Sequence, residues 1–434
     1  MFPCVPRGKA LCRRRQCTNL GLHSHPKYAF IADMTISRRV FLWIALLLSL
    51  AALSPAQDSP KRKYLLYVGT YTEKDSQGIY AYRYDPASAE LAPMGVAAVT
   101  TNPSFVAIHP SGEFLYAVNE TQNYKGASSG VVSAFAIDRQ TGKLTLLNET
   151  ASRGADPCYI AFDKTGKFVL VANYTGGNVA VFPLLPDGHV GESSVVLRDT
   201  GTLGPNKERQ ESPHSHWIEV SAHNRFAYVA DLGLDRVLIY RFDAAKGTLT
   251  AGETAPPSSK PGSADANDFF SVTLAPGTGP RHLAFSVAGD FMYVLGELNS
   301  TVTVFANDAK ETFRSVQRIS ALPAGFSAPN DAAEIAIHPN GKYLYTSNRG
   351  HDSIALFSID GKTGTLTLVD HFPTQGKTPR NFEIDPTGTR LFVANQDSGT
   401  IVVFKIDLNS GRLTPTGQML KVPSPVCLKF VPAD

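Results

Sequence analysis

At 434 residues, with 43% hydrophobic and 18% charged side chains, the chain can bury a large core and is too weakly charged for a disordered polymer. Of its 41 Lys/Arg and 38 Asp/Glu, the first 56 residues hold eight and one, so the rest carries 33 basic against 37 acidic residues and offers no basic patch for nucleic acid. Its 24 Phe, 16 Tyr, 35 Gly and 29 Pro recur at short intervals and no long stretch has apolar residues at helical spacing, which predicts an all-β protein.

Residues 1–33 have no periodic pattern and read as a leader upstream of the true start. From Met34, MTISRRVFLWIALLLSLAALSPAQ has a basic start, an apolar run from Val40 to Leu53, and small residues Ser54 and Ala56, so residues 34–56 read as a cleavable secretory signal. Its SRRVFLW resembles a twin-arginine export signal. A 14-residue apolar run is short for a spanning helix, so a periplasmic or secreted protein with no stable membrane insertion after cleavage is expected. Cys4, Cys12 and Cys17 fall in the leader; Cys158 and Cys427 permit at most one disulfide, no metal-site spacing occurs, and neither metal nor cofactor is expected.

A strand, a tight turn and a second strand then recur: PSFVAIHPSGEFLYAVNE from Pro103, PCYIAFDKTGKFVLVANY from Pro157, SHWIEVSAHNRFAYVADL from Ser215, PRHLAFSVAGDFMYVLGE from Pro280, AAEIAIHPNGKYLYTSNR from Ala332 and PRNFEIDPTGTRLFVANQ from Pro379. Each is followed by a third alternating strand, and most by a turn and a fourth. A seventh copy is split, with YLLYVGTY and QGIYAYRYD near Tyr64 lacking a first strand and PVCLKFVP at the C-terminus supplying it. Four-stranded units closed by joining the two ends predict a seven-bladed β-propeller over residues 63–434. The Pro/Ser-rich segment from Ala251 to Val272 is expected to be a surface loop.

In such a fold the start of strand one and the end of strand two meet at one mouth of the central channel. The second position of strand one reads Ser104, Cys158, His216, Arg281, Ala333, Arg380 and Val426, and the third Phe105, Tyr159, Trp217, His282, Glu334, Asn381 and Cys427. Because other blades manage with Ser, Cys, Ala or Val, the fold does not itself require charge there. The columns converge on a cleft containing His216, Arg281, Glu297 and Arg380 as candidate catalytic residues, with Glu120, His214, Asp231 and His282 as candidate substrate-binding residues. Asn at the end of strand two recurs in four blades and reads as a turn cap, and Asp231 and Asp235 also suit turns.

Two arginines offer planar donors to a carboxylate, a phosphate or a developing oxyanion. A histidine near a carboxylate can take a proton from water. No G-x-S-x-G elbow occurs, so serine-esterase chemistry is not indicated.

The motifs PHSHW from Pro213, VADLGLDRV from Val229, GPRHLAF from Gly279 with GELNSTV from Gly296, and TPRNFEIDPTG from Thr378 resemble the seven-bladed lactonase family, which includes propeller-type 6-phosphogluconolactonases and fungal carboxy-muconate cyclases. The resemblance covers roughly Lys63 to Pro432 and implies opening of a sugar lactone by water, with the family's histidine, arginine and glutamate at His216, Arg281 and Glu297 and a further arginine at Arg380. His216 or Glu297 then activates water, Arg281 stabilises the oxyanion and Arg380 holds an anionic substituent. The small-molecule partner is 6-phosphogluconolactone or an unphosphorylated aldonolactone, the latter suiting an exported protein. Two other readings fit the same columns: a non-catalytic exported propeller that binds a ligand or protein, and a muconate-type cycloisomerase.

Overall fold

The computed structural model describes residues 62–251, 270–307 and 313–433. The leader and signal expected over residues 1–56 lie outside them.

Alternating apolar residues over six to eight positions, punctuated by turns, give strands that bury both faces. Among the described residues seven antiparallel blade sheets result, six of four strands and one, that of blade 4, of five. Blade 1 is the split copy: Pro425–Pro432 pairs with Tyr64–Thr70, running from Tyr64 opposite Pro432 to Thr70 opposite Pro425, so the two ends of the repeat array close the ring. Blades 2 to 7 open with Pro103–Ile108, Pro157–Phe162, Ser215–Val220, Pro280–Phe285, Asp331–Ile337 and Pro379–Ile384. Each of these first strands contacts the first strands of both neighbours, which places all seven around one axis.

One expectation needs correction. Phe270–Thr273, the end of the supposed loop from Ala251, pairs with Arg236–Ile239, while Thr248–Ala251 pairs with Tyr240–Asp243. The fourth strand of blade 4 is thus built in two pieces, and the insertion interrupts it. Residues 252–269 lie outside the described ones.

The first turn of each complete blade explains the recurrent Gly. In His109–Gly112 and Asp385–Gly388 the last N–H donates to the first carbonyl, and the glycines sit at φ 70° and 71°. Blade 4 uses Asn224 at φ 57°, the side chain that best tolerates this conformation. Between blades, buried tyrosines of the second strands reach the next blade: Tyr116 donates to Gly188 O at 2.7 Å, Tyr293 to Gly364 O at 3.0 Å and Tyr345 to Gly411 O at 2.7 Å. Each ring packs in the core while its hydroxyl avoids an unpaired burial.

All seven first strands carry a β-bulge at the second position, where the pairing skips Ser104, Cys158, His216, Arg281, Ala333 with Glu334, Arg380 and Val426. A bulge puts two residues opposite one and re-aims the extra side chain. The alternation that would alternately hide and show these positions is broken at one level of the channel, and this is how the fold presents a polar ring there.

Candidate active site

A cavity at this level is walled by Glu120, Cys158, Arg281, His282, Glu334 and Arg380 among others. Arg281, though 3% exposed, is anchored on three sides: Nε lies 2.8 Å from Glu297 Oε2, and Nη1 donates to Ala333 O at 2.7 Å and to His282 Nε2 at 3.3 Å. Burial pushes its pKa down to about 10, with Arg349 and Arg380 adding to the shift and Glu297 opposing it, so the guanidinium stays charged near neutrality.

Glu297 is held by three arginines. Besides Arg281, Arg349 Nη2 lies 3.1 Å from Oε2, and Arg209 Nη2 hydrogen-bonds Oε1 while its Nη1 lies 3.7 Å from Asp331. Burial alone would raise the carboxyl's pKa, but Arg349, Arg281 and Arg209 outweigh it and bring it to about 2. Such a carboxylate is a fixed anion and a poor base at neutral pH.

His282 receives the Arg281 hydrogen bond at Nε2, so Nδ1 carries the proton and donates to Glu334 Oε1 at 2.9 Å; Asn381 Nδ2 holds the other Glu334 oxygen. The tautomer follows from its partners. Across the cavity Arg380 Nη2 donates to the Tyr71 hydroxyl at 2.8 Å, and that hydroxyl donates to Glu120 Oε2 at 2.9 Å.

His216 does not wall the cavity but borders it, packed edge-on to His282 at 5.2 Å and to Tyr174 at 5.6 Å between ring centres. Its Nδ1 has no hydrogen-bond partner. Burial first, then Arg281, His282 and Arg380, hold its pKa well below the usual value, so the ring is neutral at pH 7.

Two of the eight candidates fall outside this group. His214 uses both ring nitrogens, Nδ1 with Tyr174 O at 3.1 Å and Nε2 with Glu211 Oε1 at 3.0 Å, and stacks on Tyr174. Asp231 is fully buried; Oδ1 accepts from His214 N at 3.0 Å and Leu234 N at 2.9 Å, and its carboxyl faces that of Asp199, which takes Ser215 Oγ at 2.6 Å and the Tyr240 hydroxyl at 2.7 Å. Burial, with the Asp199 charge second, lifts the Asp231 pKa well above normal. A carboxyl whose folded pKa is raised contributes fully below its unfolded pKa and loses that contribution as pH rises through the folded value. Asp231→Asn, always neutral, is therefore expected to gain stability relative to the parent between pH 5 and pH 8 in urea unfolding; an equal loss at both pH values would contradict the raised Asp231 pKa.

Several site residues were in the aligned columns without being singled out: Tyr71 and Arg349 at the ends of second strands, Glu334 and Asn381 at third positions. Arg209 and Asp199 come from the non-repeating segment between blades 3 and 4, where no column offers a comparison. Asp235, read as a turn former, also accepts from Gly277 N and Gly279 N, both at 2.7 Å, and so fixes the entry to the strand carrying Arg281. Cys158 and Cys427 are both free and buried.

Four guanidinium groups, of Arg209, Arg281, Arg349 and Arg380, thus share this end of the channel with the carboxyls of Glu297 and Glu120, and a neutral imidazole stands beside them. Fold and site together define a seven-bladed propeller whose channel mouth suits an oxyanion and a proton acceptor. The family described as "Lactonase, 7-bladed beta-propeller" matches residues 65–430, and the chain belongs to it. It is 36% identical over 370 residues to the 6-phosphogluconolactonase of Bacillus subtilis, covering 85% of this chain and 99% of that one, and 35% identical over 326 residues to that of Formosa agariphila, covering 74% and 86%. The Pseudomonas aeruginosa periplasmic gluconolactonase structure is similar with a TM-score of 0.77 at 34% identity, covering 86% of this chain and 100% of that one.

Proposed function

We propose that the protein is an exported lactonase that opens a sugar lactone with water. The observation that carries this reading is the buried, charged Arg281, locked by Glu297 and Ala333 O in a cavity beside a neutral histidine. His216 takes a proton from water as it attacks the lactone carbonyl, and Arg281 meets the oxyanion that forms. Because both oxygens of Glu297 are taken by three arginines, it serves to position Arg281, and the role of base goes to His216, whose Nδ1 is unpartnered. Arg380 holds a hydroxyl or an anionic substituent of the sugar. Arg349, which holds Glu297, also lines a separate hollow with Phe326, Asn330 and Asp331.

The signal read from Met34 to Ala56 supports export, and a relative named as periplasmic agrees with it. Phosphosugars are scarce outside the cytoplasm, which favours an unphosphorylated aldonolactone. The test compares kcat/KM on glucono-1,5-lactone and its 6-phosphate. Comparable values, or a preference for the neutral lactone, are expected; a preference above roughly 100-fold for the phosphate, near 3 kcal/mol, would contradict the choice of substrate.

A further inference from the structure

Lactone hydrolysis has a second proton to place. When the ring C–O bond breaks, its electron pair stays on the ring oxygen, and expelling an unprotonated alkoxide is costly. Arg281 is committed to the carbonyl oxygen, and His216, protonated by the attacking water, stands at the border of the cavity, whereas a second proton donor lines it.

Glu120 stands on the opposite wall of the same cavity, at the end of the second strand of blade 2. One carboxyl oxygen is fixed by the Tyr71 hydroxyl at 2.9 Å, and that hydroxyl is fixed by Arg380 Nη2 at 2.8 Å, with the Arg380 guanidinium 5.3 Å from the Tyr71 ring centre. Blade 5 alone places another carboxyl at this position, Glu297, which is held by three arginines, while the other five blades place Tyr, Leu, Arg or Gln there. The charged and titratable groups facing it are Arg380 and Tyr71, the Cys158 thiol, and Asp156 at the entry to blade 3, with Arg281 and His282 lining the same cavity.

We propose, resting on the lactonase reading, that Glu120 is the general acid that protonates the departing ring oxygen and that Tyr71 is its positioning residue. Water adds to the carbonyl carbon and gives its proton to His216; the ring C–O bond then breaks and the ring oxygen takes the proton of Glu120. The products are the hydroxy acid, protonated His216 and ionised Glu120, and transfer of one proton from His216 to Glu120 through solvent restores the enzyme. Burial raises the Glu120 pKa against the opposing pull of Arg380, which keeps more of it protonated than an exposed glutamate would be.

The test measures kcat and KM of the full chain on glucono-1,5-lactone from pH 5 to 8, with spontaneous opening subtracted. Glu120→Gln is expected to lower kcat by about 100-fold or more with little change in KM, and to abolish the alkaline limb of the kcat profile. Tyr71→Phe removes a hydrogen bond that favours ionised Glu120, so its alkaline limb is expected to move to higher pH, with kcat lowered because Glu120 loses the hydroxyl that positions it. Glu120→Gln within about threefold of the parent, or a loss with the alkaline limb in place, would overturn the assignment while leaving the lactonase reading intact. Should Glu120→Gln fail to fold, an unmoved limb in Tyr71→Phe overturns it alone. A parent protein that opens no lactone overturns both readings together.

Discussion

Replacing Arg281 with Ala is expected to lower kcat/KM for lactone opening by about 10²- to 10³-fold, the usual cost of one preorganised oxyanion donor. The loss should fall on kcat, because the guanidinium gains most where charge develops and little in the ground state. Arg281→Lys should recover only a small part: an ammonium keeps the charge, but it cannot hold Glu297, Ala333 O and the substrate oxygen at once. The fold should survive either change, since Glu297 keeps Arg209 and Arg349 as partners. Steady-state kinetics beside thermal melting separates these outcomes; a variant that melts like the parent and keeps full kcat would remove Arg281 from the reaction.

Glu297→Gln is expected to be the most destabilising single change at the site. Three guanidinium groups lose the one carboxylate they share, and breaking a buried pair from one side costs roughly 3–5 kcal/mol. Linkage gives a similar magnitude. The Glu297 pKa falls from 4.5 to about 2 on folding, and a shift of that size corresponds to on the order of 3 kcal/mol. A depressed carboxyl pKa contributes stability above its unfolded value and loses it as pH falls through the folded one. The gap between the parent and Glu297→Gln should therefore be full at pH 7 and shrink from pH 4.5 toward pH 2. Urea unfolding at pH 7 and pH 3 measures this, and a gap that does not narrow would show that the carboxylate is not what the arginines stabilise. Activity should fall as well, because Arg281 loses its anchor, although Glu297 touches no reacting atom.

The ring of seven blades was legible because each blade repeats the same strand, turn and strand, and because the split copy left one strand at each end of the array. The site was legible for the same reason. Charged residues in a column otherwise filled by Ser, Cys, Ala and Val stand out, and Arg281, Arg380, Glu120 and His282 do share one cavity, with Glu297 behind it and His216 at its border. Alignment gives a level in the channel but not a direction. His214 and Asp231 lie close in sequence to residues at the cavity, yet His214 turns to Glu211 and Tyr174, and Asp231 to Asp199 in the interior. Arg209 could not be found this way, since its segment belongs to no repeat. The bulge that sets all seven second-position side chains was invisible too, because it is a property of strand pairing and leaves no mark in one strand's own sequence. The interrupted fourth strand of blade 4 was missed for a simpler reason: Phe270–Thr273 is four residues long and follows a Pro/Ser-rich stretch that hid its alternation.

The central claim is that this channel mouth opens lactones by using Arg281 against the carbonyl oxygen. The most direct measurement is pH-stat titration of glucono-1,5-lactone with the purified protein, set against spontaneous opening and against Arg281→Ala at equal concentration. Acid release well above the spontaneous rate is expected, collapsing in Arg281→Ala while both proteins melt alike. Acid release at the spontaneous rate from the parent protein, or at the parent's rate from a folded Arg281→Ala, would contradict it.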